Sequence, residues 1–521
     1  MYDYVIVGAG SAGCVLANRL SADARARVLL LEAGAGAGGL AVKIPAAFSK
    51  LFRTPRDWAF EAEPEPQFHG RRLYIPRGRM LGGSGSMNAM IYVRGHRADY
   101  DGWAAAGCAG WAWDDVLPYF RRAEGQQRGG SPYHGELGPL RVADPRQPHP
   151  LSLAFVAAAG EAGYPANDDF NGARQGGFGL YQVTQRNGRR WSPVDAYLTP
   201  AMRRRNLTVR TRARVTRILC EGGRAAGVEV LRQGRREVVL ADREVLIAAG
   251  AIQSPQLLLL SGIGAAADLE EHGLEVVADL PGVGRNLQDH PAAPVCFATE
   301  GVETLMRAES LPNLGRFLLR GKGPLTSNVA EAGGFVRSRR ELPAPDLQFH
   351  FAPVRFAAHA LDDSGHGFTI GPTLVAPRSR GRVRLKTADP LAAPAITTGQ
   401  LVERHDLYVL GEGVRIARQL AACGPLAVHC RGEVLPGAEA DTPAAVEAFL
   451  RRHAELLYHP VGTCRMGIDE LAVVDPGLRV RGVTDLRVVD ASIMPIIVRG
   501  NTNAPTIMIA ERAADLVRAA G

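Results

Sequence analysis

The sequence predicts an α/β protein: a Rossmann-like nucleotide-binding domain on a parallel sheet, joined to a substrate domain built on an antiparallel sheet with helices. Three observations carry that prediction. A glycine turn, GAGSAG at 8–13, lies between two continuous apolar runs. Apolar runs of the same kind return far along the chain, at 243–251 and 485–492. Between them, segments such as DLQFHFAPV at 346–354 alternate apolar and polar residues, the pattern of a strand with two unlike faces.

The first thirty residues justify the nucleotide domain. YVIV at 4–7 is unbroken by polar residues, as in a strand covered on both faces. Gly8 permits a tight turn, Gly10 lets a pyrophosphate approach the backbone, and Gly13 lets the next helix pack closely on the strand. Ser11 and Ala12 enter that helix, whose free N–H groups and partial positive charge suit phosphates. Val15, Leu16 and Leu20 share one helical face, and RVLLLEAG at 27–34 is the second strand. Glu32, 19 residues beyond Gly13, stands where a carboxylate accepts bonds from the adenosine ribose. This unit binds a dinucleotide; the turn by itself does not separate NAD from FAD.

Further on, PRGRMLGGSGSMNAMIYVRG at 76–95 pairs a flexible turn with an apolar run. The run predicts a buried helix over Met87–Val93, with the turn in close contact with a flat ligand. Strands of the first type are predicted at 208–219, 243–251 and 485–492. The last two end in small residues, where a parallel sheet presents its carboxyl edge to a ligand. The final helix, 505–520, has Pro505 in its first turn. Regions 100–200 and 291–455 mix proline-rich turns with alternating stretches, including 381–387, and are assigned to the antiparallel sheet.

Composition removes several function classes. A chain of 521 residues exceeds one ordinary core. The net charge of +8 is carried by arginine, with four lysines among 61 basic residues, and no basic arm interleaves with aromatics. A nucleic-acid site is therefore not expected, whereas peripheral attraction to an anionic membrane surface is compatible with the charge. Seven scattered cysteines without a CxxC pair indicate a reducing compartment, no disulfide framework and no metal site. A strand starting almost at residue 1 leaves no room for a signal peptide, and the longest apolar run, near 257–260, is too short for a transmembrane segment. The expected location is cytoplasmic.

A lone histidine lies in LYHPVGTCRMG at 457–467. By itself His459 is more readily structural than catalytic. Four blocks change that weighting: VIVGAGSAGCVLANRL with Glu32, GRMLGGSGSMNAMIYVRG at 78–95, GAIQSPQLLLLSGIG at 250–264, and YHPVGTCRMG with GNTNAPTIMIAERAAD at 500–515. Together they resemble the glucose–methanol–choline (GMC) oxidoreductases, in the branch close to choline and alcohol dehydrogenases. GVGRNLQDHP at 282–291 also fits.

The resemblance implies FAD as cofactor and a glucose-oxidase-like fold. The expected FAD-binding segments are 1–150, 206–290 and a C-terminal 456–521 carrying active-site residues. The substrate domain is expected at 151–205 and 291–455. It implies His459 as general base and Asn501 orienting the substrate hydroxyl, with Asn503 as the fallback register. Gly83, Ser84 and Asn88 take the flavin-facing turn, the Val215 backbone holds adenine, and Asp490 lies near the ribityl and phosphate portion. Asn503 and the N–H groups entering the last helix are candidates to face the charge on reduced flavin N1. Met87 stands where some relatives carry a flavin-tethering histidine, and a thioether cannot form that bond, so FAD is expected to be non-covalent. Asparagine does not take up a proton at neutral pH, which leaves His459 as the base of the pair.

The implied reaction is oxidation of an alcohol to an aldehyde or ketone, with hydride passing to flavin N5. Electrons then go to a quinone or other electron acceptor in preference to oxygen. An alcohol oxidase producing peroxide is the alternative, as is non-redox use of the fold by a hydroxynitrile lyase or fatty-acid photodecarboxylase; the His/Asn pair argues against the decarboxylase. Tyr458 and Tyr92 are candidates for the pocket wall. His290, His350 and His429 have no partner pattern and are read as structural.

Overall fold

The computed structural model describes residues 1–361 and 365–520. Strand β1 (Tyr2–Val7), helix α1 (Ser11–Leu20) and strand β2 (Val28–Leu31) form the predicted unit, with β1 and β2 parallel and Val7 opposite Leu31. All four residues of β2 are buried, as a strand covered on both faces requires. Leu207–Arg210 continues the sheet beyond β2. On the other side of β1 come Arg235–Ile247 and then Leu486–Val488, also parallel. The early part of Arg235–Ile247 turns into an antiparallel arm with Arg224–Arg232 and Ala213–Glu221.

Helix α1 packs on the C-terminal helix, Asn503–Ala520. Glu511, 0% exposed, sits between them and accepts from Arg19, Arg122 and the Tyr197 hydroxyl. A carboxylate so deep needs these cations, because an unpaired buried charge is strongly disfavoured. The packing therefore holds the start of the last helix against the nucleotide-binding turn.

A second, antiparallel sheet runs in the order Cys430–Leu435, Val295–Thr299, Gly367–Leu374, Leu347–Ala352, Ala332–Val336, Gly177–Leu180, with Pro291–Ala292 and Glu455–Leu456 joined at one side. In Leu347–Ala352 the odd residues, Leu347, Phe349 and Phe351, enter the core shared with Pro150–Glu161 and Arg404–Ala421. The even residues, Gln348 and His350, lie on the opposite face, as a period of two dictates. His350 borders the large cavity of the molecule.

Four sequence expectations are corrected. The apolar run 87–93 forms no helix: Met87 and Asn88 close the preceding turn, and the backbone beyond them is irregular with a bridge at Ile91. Met90 is left-handed at φ 59°, Tyr92 N–H donates to the Gln182 carbonyl at 2.9 Å, and Ile91 bridges Val183. Its buried backbone is satisfied across the chain, so no helical turn is needed. The stretch 208–219 is two strands, broken where Arg212 turns left-handed at φ 53° and donates from N to the Gly34 carbonyl. Arg382–Arg384 pairs with Ala395–Thr397, outside the large sheet. The final helix begins two residues earlier than predicted, at Asn503. Among the described residues no helix is long and apolar enough to cross a membrane, and no cluster of His, Cys, Asp or Glu has metal-binding geometry.

Candidate active site

One cavity of about 370 Å³ is lined both by Glu32 and Val215 and by His459 and Asn501. Gly8, Gly10, Ser11, Ala12, Gly83, Ser84, Asn88, Asp490 and Asn503 also line it; Gly13 does not. The glycines show why. A Cβ on Gly13 would stand 1.9 Å from the Gly8 carbonyl oxygen, and one on Gly8, at φ 98°, would stand 2.5 Å from that of Ala248. Both are packing glycines. A Cβ on Gly10 meets nothing closer than 3.9 Å, so the space in front of it is open to a phosphate. Glu32 accepts from Ala9 N–H at 2.9 Å and Gly34 N–H at 2.8 Å, and burial raises its pKa to about 7 despite those bonds.

The glycine-serine turn closes onto this cradle. Gly83–Ser86 is one turn of 3-10 helix, and a Cβ on Gly83 would lie 2.9 Å from the Gly10 Cα. Ser84 Oγ accepts from Gly78 N–H at 3.1 Å, and Asn88 Oδ1 accepts from Arg190 at 2.8 Å. Asp490 accepts from Gly250 N–H at 2.8 Å and Ser492 N–H at 2.8 Å, bracing two helix starts at the cavity edge. Val215 belongs to the antiparallel arm, opposite Val230. Ser11 Oγ donates to Asn503 Oδ1 at 2.6 Å, tying the first helix to the last at their N-termini. A pyrophosphate, a ribose and a flat ring all find chemistry here that suits them, so the residues fit FAD.

At the other wall, Asn501 Nδ2 lies 3.3 Å from His459 Nε2. His459 Nδ1 lies 3.0 Å from His290 Nδ1, the rings crossing at 85°. Asp289 Oδ1 accepts both the His459 N–H at 2.8 Å and the His290 N–H at 2.7 Å, fixing the two backbones together. Arg77 donates to the Tyr458 carbonyl at 2.6 Å, where Tyr458 is left-handed at φ 67°. This turn aims His459 into the cavity. Burial, followed by the neighbouring His290, His350 and Arg77, holds the His459 pKa well below the ordinary histidine value. Burial pulls His290 down to about 3 and His350 to about 4, and raises Asp289 to about 7. His459 is therefore neutral near pH 7 and has a lone pair to offer.

His290 and His350 correct the expectation that both are merely structural: the first bonds His459 and the second lines the cavity. Their neighbours Asp289, Arg77 and Gln348 went unnoticed in the sequence. The signal for Gln348 and His350 was present as an i, i+2 polar pair in an otherwise apolar strand. Tyr458 lines the cavity, whereas Tyr92 is a core residue whose hydroxyl accepts from Arg94 at 3.2 Å.

Residues 2–292 match the N-terminal, and residues 377–510 the C-terminal, family model for GMC oxidoreductase. The chain belongs to the GMC oxidoreductase family. It is 46% identical to an alcohol dehydrogenase [acceptor] of Pseudomonas putida, over 99% of this chain and 96% of that one. It is 45% identical to the mitochondrial choline dehydrogenase of Homo sapiens, over 99% of this chain and 90% of that one. Among solved structures, pyridoxine 4-oxidase from Mesorbium loti superposes with a TM-score of 0.91 at 33% identity, covering 99% of each chain. GMC oxidoreductases are FAD enzymes, and FAD is the cofactor here.

Proposed function

We propose that this GMC oxidoreductase converts a small alcohol to its aldehyde or ketone, with His459 as general base and Asn501 as the group that orients the hydroxyl. The observation that carries the roles is the 3.3 Å approach of Asn501 Nδ2 to His459 Nε2 on the cavity wall. An alcohol bound beside the pair, facing both nitrogens, has its oxygen accepting from Asn501 Nδ2 while its proton passes to His459 Nε2. The carbinol carbon loses a hydride, and FAD when bound supplies the acceptor for it. A positioned base contributes about 10²–10⁴-fold to such a step. The nucleotide cradle lined by Gly8, Gly10, Ser11, Ala12, Glu32, Gly83, Ser84, Asn88, Val215, Asp490 and Asn503, with Gly13 packing the helix behind it, belongs to the same reading.

The electron acceptor is a quinone or a dye-like molecule rather than oxygen, in keeping with the dehydrogenase names of the relatives. FAD is held without a covalent bond: Met87, which stands at the tether position of some relatives, lines the cavity with a thioether that cannot form that bond. The parallel and antiparallel sheets support two units with the boundaries set out above, and cysteines that form no disulfide among the described residues support a cytoplasmic location. The test is His459→Ala, loaded with FAD and mixed anaerobically with alcohols. Bleaching slowed by about 10² or more is expected; bleaching at the wild-type rate refutes the assignment. Peroxide formed in air in step with alcohol consumed would make the enzyme an oxidase instead.

A further inference from the structure

We propose that Gln348 is a positioning residue that fixes which nitrogen of His459 carries its proton, and so presents Nε2 as the base. This rests on the roles of His459 and Asn501 given above. A backbone carbonyl sets the direction of each hydrogen bond leading to the site. The Phe349 carbonyl can only accept, so the Tyr181 hydroxyl gives it its proton, at 2.6 Å. The Tyr181 oxygen is then an acceptor, and the Gln348 atom 3.1 Å from it is the amide nitrogen. That same nitrogen lies 3.2 Å from the Asn501 side-chain oxygen.

Two facing NH2 groups would have no acceptor between them, so Asn501 turns its oxygen to Gln348 and its NH2 to His459. An amide NH2 only donates, so His459 Nε2, 3.3 Å away, bears the lone pair. The His459 proton sits on Nδ1, facing His290 Nδ1 at 3.0 Å, which accepts. Gln348 is 0% exposed and lies mid-sheet between Phe335 and Thr373, and both bonds of its amide run through the nitrogen.

Glutamate at 348 reverses this chain. A carboxylate accepts only, so the Tyr181 hydroxyl and the Asn501 NH2 both turn to it. Asn501 then faces His459 with its oxygen, and Nε2 must carry the proton it should receive. Methionine at 348 removes the anchor without reversing it, leaving Asn501 free to turn either way.

The test compares FAD-loaded wild type, Gln348→Glu, Gln348→Met and His459→Ala by anaerobic flavin bleaching and by nitrogen-15 spectra of ring-labelled histidine. The His459 signal is the one missing from His459→Ala. We expect an Nδ1–H pattern in the wild type, an Nε2–H pattern in Gln348→Glu, and a mixture in Gln348→Met. Bleaching should slow by about 10² in Gln348→Glu and by roughly 10-fold in Gln348→Met, the scale of a misdirected base. Should Gln348→Glu fail to take up FAD, the Gln348→Met spectrum decides. A wild-type His459 pattern in that variant, or an Nε2–H pattern in the wild type, overturns the proposal. If His459→Ala bleaches as fast as wild type, the functional reading fails instead; if it is slow and the His459 pattern is unmoved by either change at 348, only the Gln348 proposal fails.

Discussion

The Nδ1 atoms of His459 and His290 lie 3.0 Å apart with their rings crossed at 85°, so one imidazole proton is shared between two rings that are both kept neutral. Both pKa values are driven down, chiefly by burial. Replacing His290 with Leu removes the only ring partner of His459 Nδ1 among the described residues and leaves a buried N–H unsatisfied. We expect flavin reduction to slow by roughly tenfold, equivalent to about 1.4 kcal/mol, with FAD content unchanged. Anaerobic stopped-flow absorbance measures it; an unchanged rate shows that the pair is not used.

The pH profile separates two groups that touch. His459 is held far below the neutral range, whereas burial raises Asp289 to about 7, and Asp289 holds the His459 backbone. Burial also raises Glu32 and Glu455 on the cavity wall to about 7, but of the three only Asp289 bonds the His459 backbone, so we expect it to carry an inflection in flavin reduction near neutrality. Asp289→Asn keeps an oxygen for both N–H groups and should flatten the profile between about pH 6 and 9. Persistence of the break in that variant would show that Asp289 is not its source, and its loss in Glu455→Gln instead would assign it to Glu455.

The glycine turn gives a paired test. Gly13→Ala places a methyl 1.9 Å from the Gly8 oxygen, so the helix must move off the strand and the variant should be insoluble or strongly destabilised. Gly10→Ala has φ −73° and open space, so it should fold normally and lose FAD. Absorbance near 450 nm, about where flavins absorb, against thermal unfolding distinguishes the outcomes; a fully flavinated Gly10→Ala would show that no phosphate approaches there.

A buried network away from the site makes a stability prediction. Arg94 pairs with Glu124 at 2.6 Å with both side chains 0% exposed, and His134 bridges Glu124 at 3.0 Å and Asp169 at 2.9 Å. Burial opposes charge on His134, yet its bonds to Asp169 and Glu124 raise its pKa to about 9. A raised histidine stabilises fully below its unfolded pKa of about 6.5, and the contribution is lost as pH rises through about 9. The melting temperature should thus fall between these values, and fall less in His134→Gln. Parallel curves for the two proteins would mean that His134 does not titrate with folding.

The chain's local order was legible because it depends on neighbours in sequence. A glycine turn between apolar runs dictates β1, α1 and β2, since only such a run survives burial on both faces and only glycine fits where Cβ would strike a carbonyl. The same locality marked His459 and Asn501 and the Gly83 turn, each embedded in a block long enough to be specific. Where local preference was weak it misled: 87–93 is apolar enough for a buried helix, but residues 182–184 satisfy its backbone without one.

What the sequence by itself determined is the cofactor fold, the reaction class and the two residues proposed to face the hydroxyl. What only the tertiary structure decided is how those two are held. His290 comes from a segment 169 residues before His459, and Gln348 from a strand 153 residues before Asn501. Hydrogen-bond direction passes from residue to residue through space, so the carbonyl of Phe349 orients a base more than a hundred positions away. No spacing rule along the chain encodes that, because the antiparallel sheet brings those strands together only when it closes.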